Sequence, residues 1–523
     1  MSVVIKREEI MLRILVPGLA LFGAMLAQPA AAQSGVDLVK AAVDAQGGAA
    51  ALGATKTTVL KGEATHWEPG QSYAATGEAR FLGDTTYTHT IDNAKRLSRI
   101  DWDRDMKYPA VERLKYSEIT GPTWGVLIDE KGAQQPMSGI RLAALLRERD
   151  RASPRLLVRA LNEPNTISAL PDQKLGDRSL PAVSIKRGAN TFIVLFDPAT
   201  HLPAAVRSRD ADNVYGDSNY DLVLSDWREA GGIKRPHTLS YQLNGTEVQR
   251  LSVKQVTYDA PIAADTFAVS EDVKAKASPP AADAPYQWVL RRIFLGRFLD
   301  SDKVYFPEGG GFKLSELAPN VQHVVGGTAN NLIVAMKDGL VIFDAPVDEG
   351  QSRATIALAK EKYPGKQIKQ LVLTHHHMDH TGGTRAYVAE GAEVVMPAQA
   401  RPFFEKMFQA EHKLQPDALA KQPKAAKIVD VKDTASLKDE TVTINLYNIP
   451  NPHADGMIIG HVVGPNILWV TDLISPRGPI GRSPATVSVG DALRKAGITN
   501  ATIAGGHGTT AKQAEIEPAL AAN

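Results

Sequence analysis

Four histidines and an aspartate fall within six positions of the stretch Thr374-His375-His376-His377-Met378-Asp379-His380-Thr381-Gly382-Gly383. Imidazole and carboxylate are costly to desolvate without partners, so a cluster this dense normally has a bound cation to satisfy it. The apolar run Ile368 to Leu373 precedes it, and Gly382-Gly383 open a helical segment. That order puts the cluster on a tight turn at the carboxyl end of a strand, where loops of α/β folds carry chemistry. Read as H-x-H-x-D-H, it offers His375, His377, Asp379 and His380 as metal ligands. In an extended turn alternate residues point to opposite sides, so His375 and His377 can serve one metal while Asp379 and His380 serve a second. Such a division requires further ligands from elsewhere in the chain.

Three polar residues downstream stand at strand ends. His453 lies in Asn451-Pro452-His453-Ala454-Asp455-Gly456, before the strand-like run Met457 to Val463. Asp472 follows Ile467-Leu468-Trp469-Val470-Thr471, a run apolar enough to be buried on both faces. His507 sits in Gly505-Gly506-His507-Gly508, where the flanking glycines suit close backbone approach to a crowded site. A hairpin over Asn331 to Phe343 ends at Asp344, and strands then alternate with helices. The pattern predicts an α/β sandwich in this half.

H-x-H-x-D-H, a single histidine, an aspartate after a strand and Gly-His-Gly, in this order, resemble the metallo-β-lactamase superfamily over residues 317–523. The resemblance implies an αββα sandwich. It places His375, His377 and His453 on a first metal, Asp379, His380 and His507 on a second, and Asp472 as the bridge. Asp344 matches the family's structural aspartate, while His376 is its variable position. Two divalent ions lower the pKa of a bridging water toward neutrality and polarise the bond to be cleaved. Asp379 additionally orients the hydroxide and shuttles its proton. Nitrogen and carboxylate ligands without thiolate favour two zinc ions, with iron or manganese allowed.

The expected activity is a binuclear, metal-bridging-hydroxide hydrolysis of an ester, lactone, amide or thioester. Aspartate at 472 is similar to glyoxalase II and lactonases and departs from most zinc β-lactamases. The alternatives are β-lactamase activity within the same fold, a mononuclear iron persulfide dioxygenase, and a non-catalytic lipid- or lipoprotein-binding protein. A long insertion from Ala398 to Lys427, with Phe403, Phe404, Met407 and Phe408, reads either as a lid over an apolar substrate or as a helix packed on the sandwich. Arg477, just beyond Asp472, is a candidate partner for a substrate carboxylate.

The rest of the chain reads differently. At 523 residues, two or three domains are expected. Residues Ile14 to Ala27 are apolar and are followed by Gln-Pro-Ala-Ala-Ala, which predicts a signal peptide over 1–32 and a periplasmic or secreted protein. Glu8 and Glu9 suit such a leader poorly, so Met11 competes with Met1 as the start. The absence of cysteine excludes disulfides and thiolate ligands. A net charge of +1 gives no reason to expect nucleic acid. The expected partner is a small-molecule substrate, without stable membrane insertion and with a homo-oligomer allowed.

Residues 36–270 show short alternating runs with turn signals, Asn244-Gly245 the strongest, around a helical interlude from Ile140 to Leu161. An opening helix is expected over Val36 to Ala51. Gly47-Gly48-Ala49-Ala50-Ala51-Leu52, Phe196-Asp197-Pro198 with Leu202-Pro203, Ile233-Lys234-Arg235-Pro236, and Pro261-Ile262 with Phe267 resemble LolA-like periplasmic lipoprotein-sorting modules. His66, His89, His201 and His237 are scattered and read as structural. A proline-rich linker is expected over 271–286, and a connecting helix and loop over 287–316. The whole is an α+β two-domain chain, an antiparallel β-rich module followed by a sandwich.

Overall fold

The computed structural model describes residues 34–282, 311–327 and 329–522. The predicted leader, and all but residues 311–316 of the connecting helix and loop expected over 287–316, lie outside them. No helix among the described residues is long and apolar enough to cross a membrane.

The N-terminal half is built on a thirteen-stranded antiparallel sheet. Six strands meander from Thr57–Glu68 out to one edge, at Gln134–Pro136, and seven return from Ile167–Leu175 at the other. The two meanders join where Thr57–Glu68 pairs with Thr246–Tyr258. Chain that leaves one edge and re-enters at the other has to cross the sheet, and two helices make that crossing. The helical interlude is therefore broken: Ser138 caps Gly139–Arg151, and Ser153-Pro154 separates it from Arg155–Asn162. Proline lacks the N–H that a continuous helix needs. The opening helix is likewise two, Gly35–Ala45 and Gly48–Ala54, divided at Gly47, whose φ is +113°. Asn244 and Gly245, both at positive φ, turn the hairpin their dipeptide predicts.

The C-terminal half is a pair of sheets, seven strands and six strands, each ordered as in the chain. Antiparallel hairpins give way to parallel pairs wherever a helix intervenes, as between Leu340–Phe343 and Ile368–Val372, joined by Glu349–Lys362. Val334, Phe343, Val372, Ile444 and Trp469 fill the space between the sheets. Ile356, Ala386, Tyr387 and Phe404 seal the outside of one sheet, and Val489, Leu493 and Leu520 the outside of the other. This is the expected αββα layering.

The insertion after Ala398 resolves in favour of packing. Arg401–Gln409 is a helix whose Phe403, Phe404 and Met407 are buried in the outer core. Leu82, Met106 and Val214 of the N-terminal half belong to the same apolar cluster, so the two halves share a core.

Candidate metal centre

Strand Ile368–Val372 ends inside the molecule, and the chain stays extended to His377 before a single helical turn, Met378–Thr381. Asp379 and His380 thus project from a helical turn rather than from the extended one the sequence suggests. Just after that turn, Gly382 and Gly383 lie against the Val347 carbonyl and Ser352, where no side chain fits.

The seven sequence-predicted residues converge in two clusters. His375, His377 and His453 form one; Asp379, His380, Asp472 and His507 form the other. Asp472 lies between them. Its Oδ2 is 3.1 Å from His375 Nε2, 3.5 Å from His453 Nε2 and 2.9 Å from His380 Nε2, while its Oδ1 is 2.9 Å from His507 Nε2. The His380 and His507 Nε2 atoms are 3.1 Å apart. Asp379 Oδ2 faces both, 4.0 Å and 3.8 Å away.

Several of these atoms are buried without a hydrogen-bond partner: His375 Nε2, His377 Nδ1, His453 Nε2 and Asp472 Oδ2. Buried polar atoms are nearly always paired, and four orphans facing one another fit a cation. Burial first, then neighbouring histidines, hold the His377 imidazole far below its ordinary range. Burial also pushes His453 down to about 3, against the pull of Asp472. Both are therefore neutral, the form that ligates metal. At His380 burial again disfavours the charge, but Asp472, Asp344 and Asp379 outweigh it and raise the pKa. Burial would raise the Asp472 carboxyl, yet His380, His507 and His453 hold it well below the usual range. His380 and Asp472 thus form a charged pair, while His377 and His453 are neutral.

Asp344 orders the turn. It sits at φ +60° and accepts from the Thr374 N–H (2.8 Å), the Thr374 hydroxyl (2.9 Å) and the Trp469 indole (3.2 Å). Its other contact is His380 Nδ1, at 3.3 Å, which leaves Nε2 for the cluster. His376 is buried and turns its Nε2 to the Ser72 carbonyl at 2.9 Å. His461 bonds Asn466, and His323 bonds the Gly505 carbonyl. Exposed Arg477 reaches His507 Nδ1 at 3.3 Å.

The N-terminal half supplies residues that the sequence alone did not single out. The segment between strands Thr57–Glu68 and Arg80–Asp92 lies on the histidine turn. Gln71 Nε2 donates to Asp379 Oδ1 at 2.5 Å, and the Ser72 carbonyl faces His377 Nε2 at 2.9 Å. Arg80 Nη2 donates to the His453 carbonyl at 2.7 Å and stacks over Tyr108. A Pro-Gly turn after a long alternating strand was the visible signal here, and nothing in it points to a partner 308 positions away.

Comparison with known proteins adds the family. The family model for the metallo-beta-lactamase superfamily matches residues 324–507. A linear primary-alkylsulfatase of a Pseudomonas species is 37% identical over 62 residues, which are 12% of this chain and 9% of that protein. Among solved structures, the DIM-1 metallo-beta-lactamase aligns with 40% of this chain and 96% of its own, at 15% identity and a TM-score of 0.33. The sec-alkylsulfatase Pisa1 of a Pseudomonas species aligns with 45% of this chain and 42% of its own, at 17% identity and a TM-score of 0.32. The matched span carries six of the seven clustered residues inside it and ends on the seventh, His507, and residues 324–507 are a metallo-beta-lactamase superfamily domain.

Proposed function

We propose that the chain is an exported metallohydrolase whose two clusters hold a pair of zinc ions, with Asp472 shared between them. The observation that carries this reading is the convergence of seven side chains into two donor groups joined by one carboxylate. His375, His377 and His453 would hold the first ion, and Asp379, His380 and His507 the second. Bound there, the metals would supply a nucleophile at neutral pH and neutralise charge in the transition state.

The protein's own part is orientation and proton transfer. Asp344 fixes the His380 ring, and Gln71 ties up Asp379 Oδ1. Asp379 Oδ2 then faces the second cluster, placed to take a proton from the attacking water and return it to the leaving group. Arg477, exposed beside His507, would meet the anionic end of a substrate.

The bond cleaved is a carboxylic ester, lactone, amide or thioester. A sulfate ester is the second reading, favoured by the 37% identity to the alkylsulfatase segment and by Arg477. A panel of lactones, thioesters, β-lactams and alkyl sulfates, tested on zinc-reconstituted protein, separates these. Asp472→Ala should lose most metal and at least a hundredfold in turnover; wild-type protein that takes up no zinc would contradict the reading.

A further inference from the structure

The segment Pro69 to Gly77 is more than a neighbour of the metal centre. Gln71 is 2% exposed, and both ends of its amide are used. Tyr108 Oη donates to Oε1 at 2.6 Å, which fixes the orientation of the amide and presents its N–H₂ to Asp379. Arg80 Nε holds the Gln71 carbonyl at 2.5 Å. A carboxylate with one oxygen engaged by an amide donor has its other oxygen aimed, and here that oxygen faces His380 and His507.

The Ser72 carbonyl does the equivalent for the first cluster. A carbonyl only accepts, so His377 carries its proton on Nε2, and the orphaned Nδ1 keeps a lone pair. The backbone is pressed close: a Cβ on Gly70 would meet Met378 at 3.1 Å. Tyr73 completes the attachment, its carbonyl accepting from Asp455 N–H at 2.7 Å, beside the His453 turn. Asp379, His377 and His453 are thus all oriented by residues lying outside the matched family span.

We infer that Gln71, oriented by Tyr108, is a positioning residue that sets occupancy of the second metal position by fixing the Asp379 carboxylate. The inference rests on reading the two clusters as a binuclear site. Partners one step behind a ligand typically alter metal affinity 10–100-fold, because they orient the ligand without touching the ion.

The test uses the full chain, stripped and titrated with zinc against a chromophoric chelator. Wild type should take two equivalents. Gln71→Met, close in volume and unable to donate, should bind one equivalent as before and the other at least about tenfold more weakly. Its kcat should fall with KM little changed. Tyr108→Phe should weaken the same equivalent by a smaller factor, and the double variant should be no worse than Gln71→Met alone, as coupled residues behave. Tyr108→Phe also keeps the test alive if Gln71→Met does not fold. Folded variants that both bind two equivalents as tightly as wild type overturn the inference and leave the binuclear reading standing. Wild type that binds no zinc overturns both.

Discussion

Asp344 shows how much one side chain does behind the cluster. It is fully buried, holds a left-handed backbone that suits aspartate or asparagine, and takes three donors besides its contact with His380. Asp344→Ala leaves the buried Thr374 N–H and Trp469 indole without acceptors, a loss of roughly 3–5 kcal/mol. Asp344→Asn tolerates the same φ and keeps an oxygen for the Thr374 donors, but its NH2 replaces the oxygen that accepts from the Trp469 indole, so the fold should survive at some cost. Its amide, however, meets His380 Nδ1 with a donor or a neutral oxygen instead of a carboxylate. We expect the urea midpoint of the asparagine variant to lie between those of wild type and alanine, with zinc retention reduced in both variants. Equal midpoints for the two would contradict this division of labour.

At the scale of elements, helix Glu349–Lys362 offers a pH test. Asp348 caps it, accepting from Gln351 N–H at 2.8 Å. Burial pushes the Asp348 carboxyl up to about 6, with the cap hydrogen bonds pulling the other way. The unfolded chain has the group near 3.9, so the folded state binds the proton more tightly. Its contribution is present below about pH 4 and is lost as pH rises through 6. Asparagine caps equally well and carries no charge. Asp348→Asn should therefore match wild type near pH 4 and gain on it by about 1–2 kcal/mol by pH 8, the full two-unit shift being discounted because the side chain is partly exposed. A stability difference that does not change with pH would refute the assignment.

The same scale shows what the sequence made legible. His375 to His380, Asp472 and His507 each lie at the end of an apolar strand, a local pattern, and their order along the chain carried the family resemblance that grouped them. The Asn244-Gly245 hairpin was equally local. The helix breaks at Gly47 and Pro154 were visible residues whose consequence depends on which faces the neighbouring sheet covers. The insertion's aromatics left lid and packed helix equally open, because only the burial of Phe404 decides between them. Gln71 is the extreme case. A glutamine after a turn carries no signature, and its meaning arises only when two halves of the chain dock.

For the whole molecule, that docking has a thermodynamic consequence. Leu82, Met106 and Val214 share an apolar cluster with Val347, Ile356 and Phe404, and Asn213 donates to the Val347 carbonyl at 3.0 Å. Gln71, Ser72 and Arg80 add hydrogen bonds directly to the clustered residues. Anything that binds the folded cluster and not the unfolded chain stabilises by RT ln(1 + [L]/Kd), about 4 kcal/mol per site at a thousandfold excess over Kd. Because the N-terminal segment touches both clusters, that stabilisation should reach both halves. Chelator should lower the urea midpoint of the β-rich half, followed by the burial of Trp102, as much as that of the sandwich, followed by Trp469. Both tryptophans are buried, so single-tryptophan variants retaining one or the other report the two halves separately. Coincident transitions that move together on metal removal are the expected result, since coincidence of probes marks a cooperative unit. Two separated transitions, with only the sandwich responding to metal, would show the N-terminal half to be a passenger on the site rather than a wall of it.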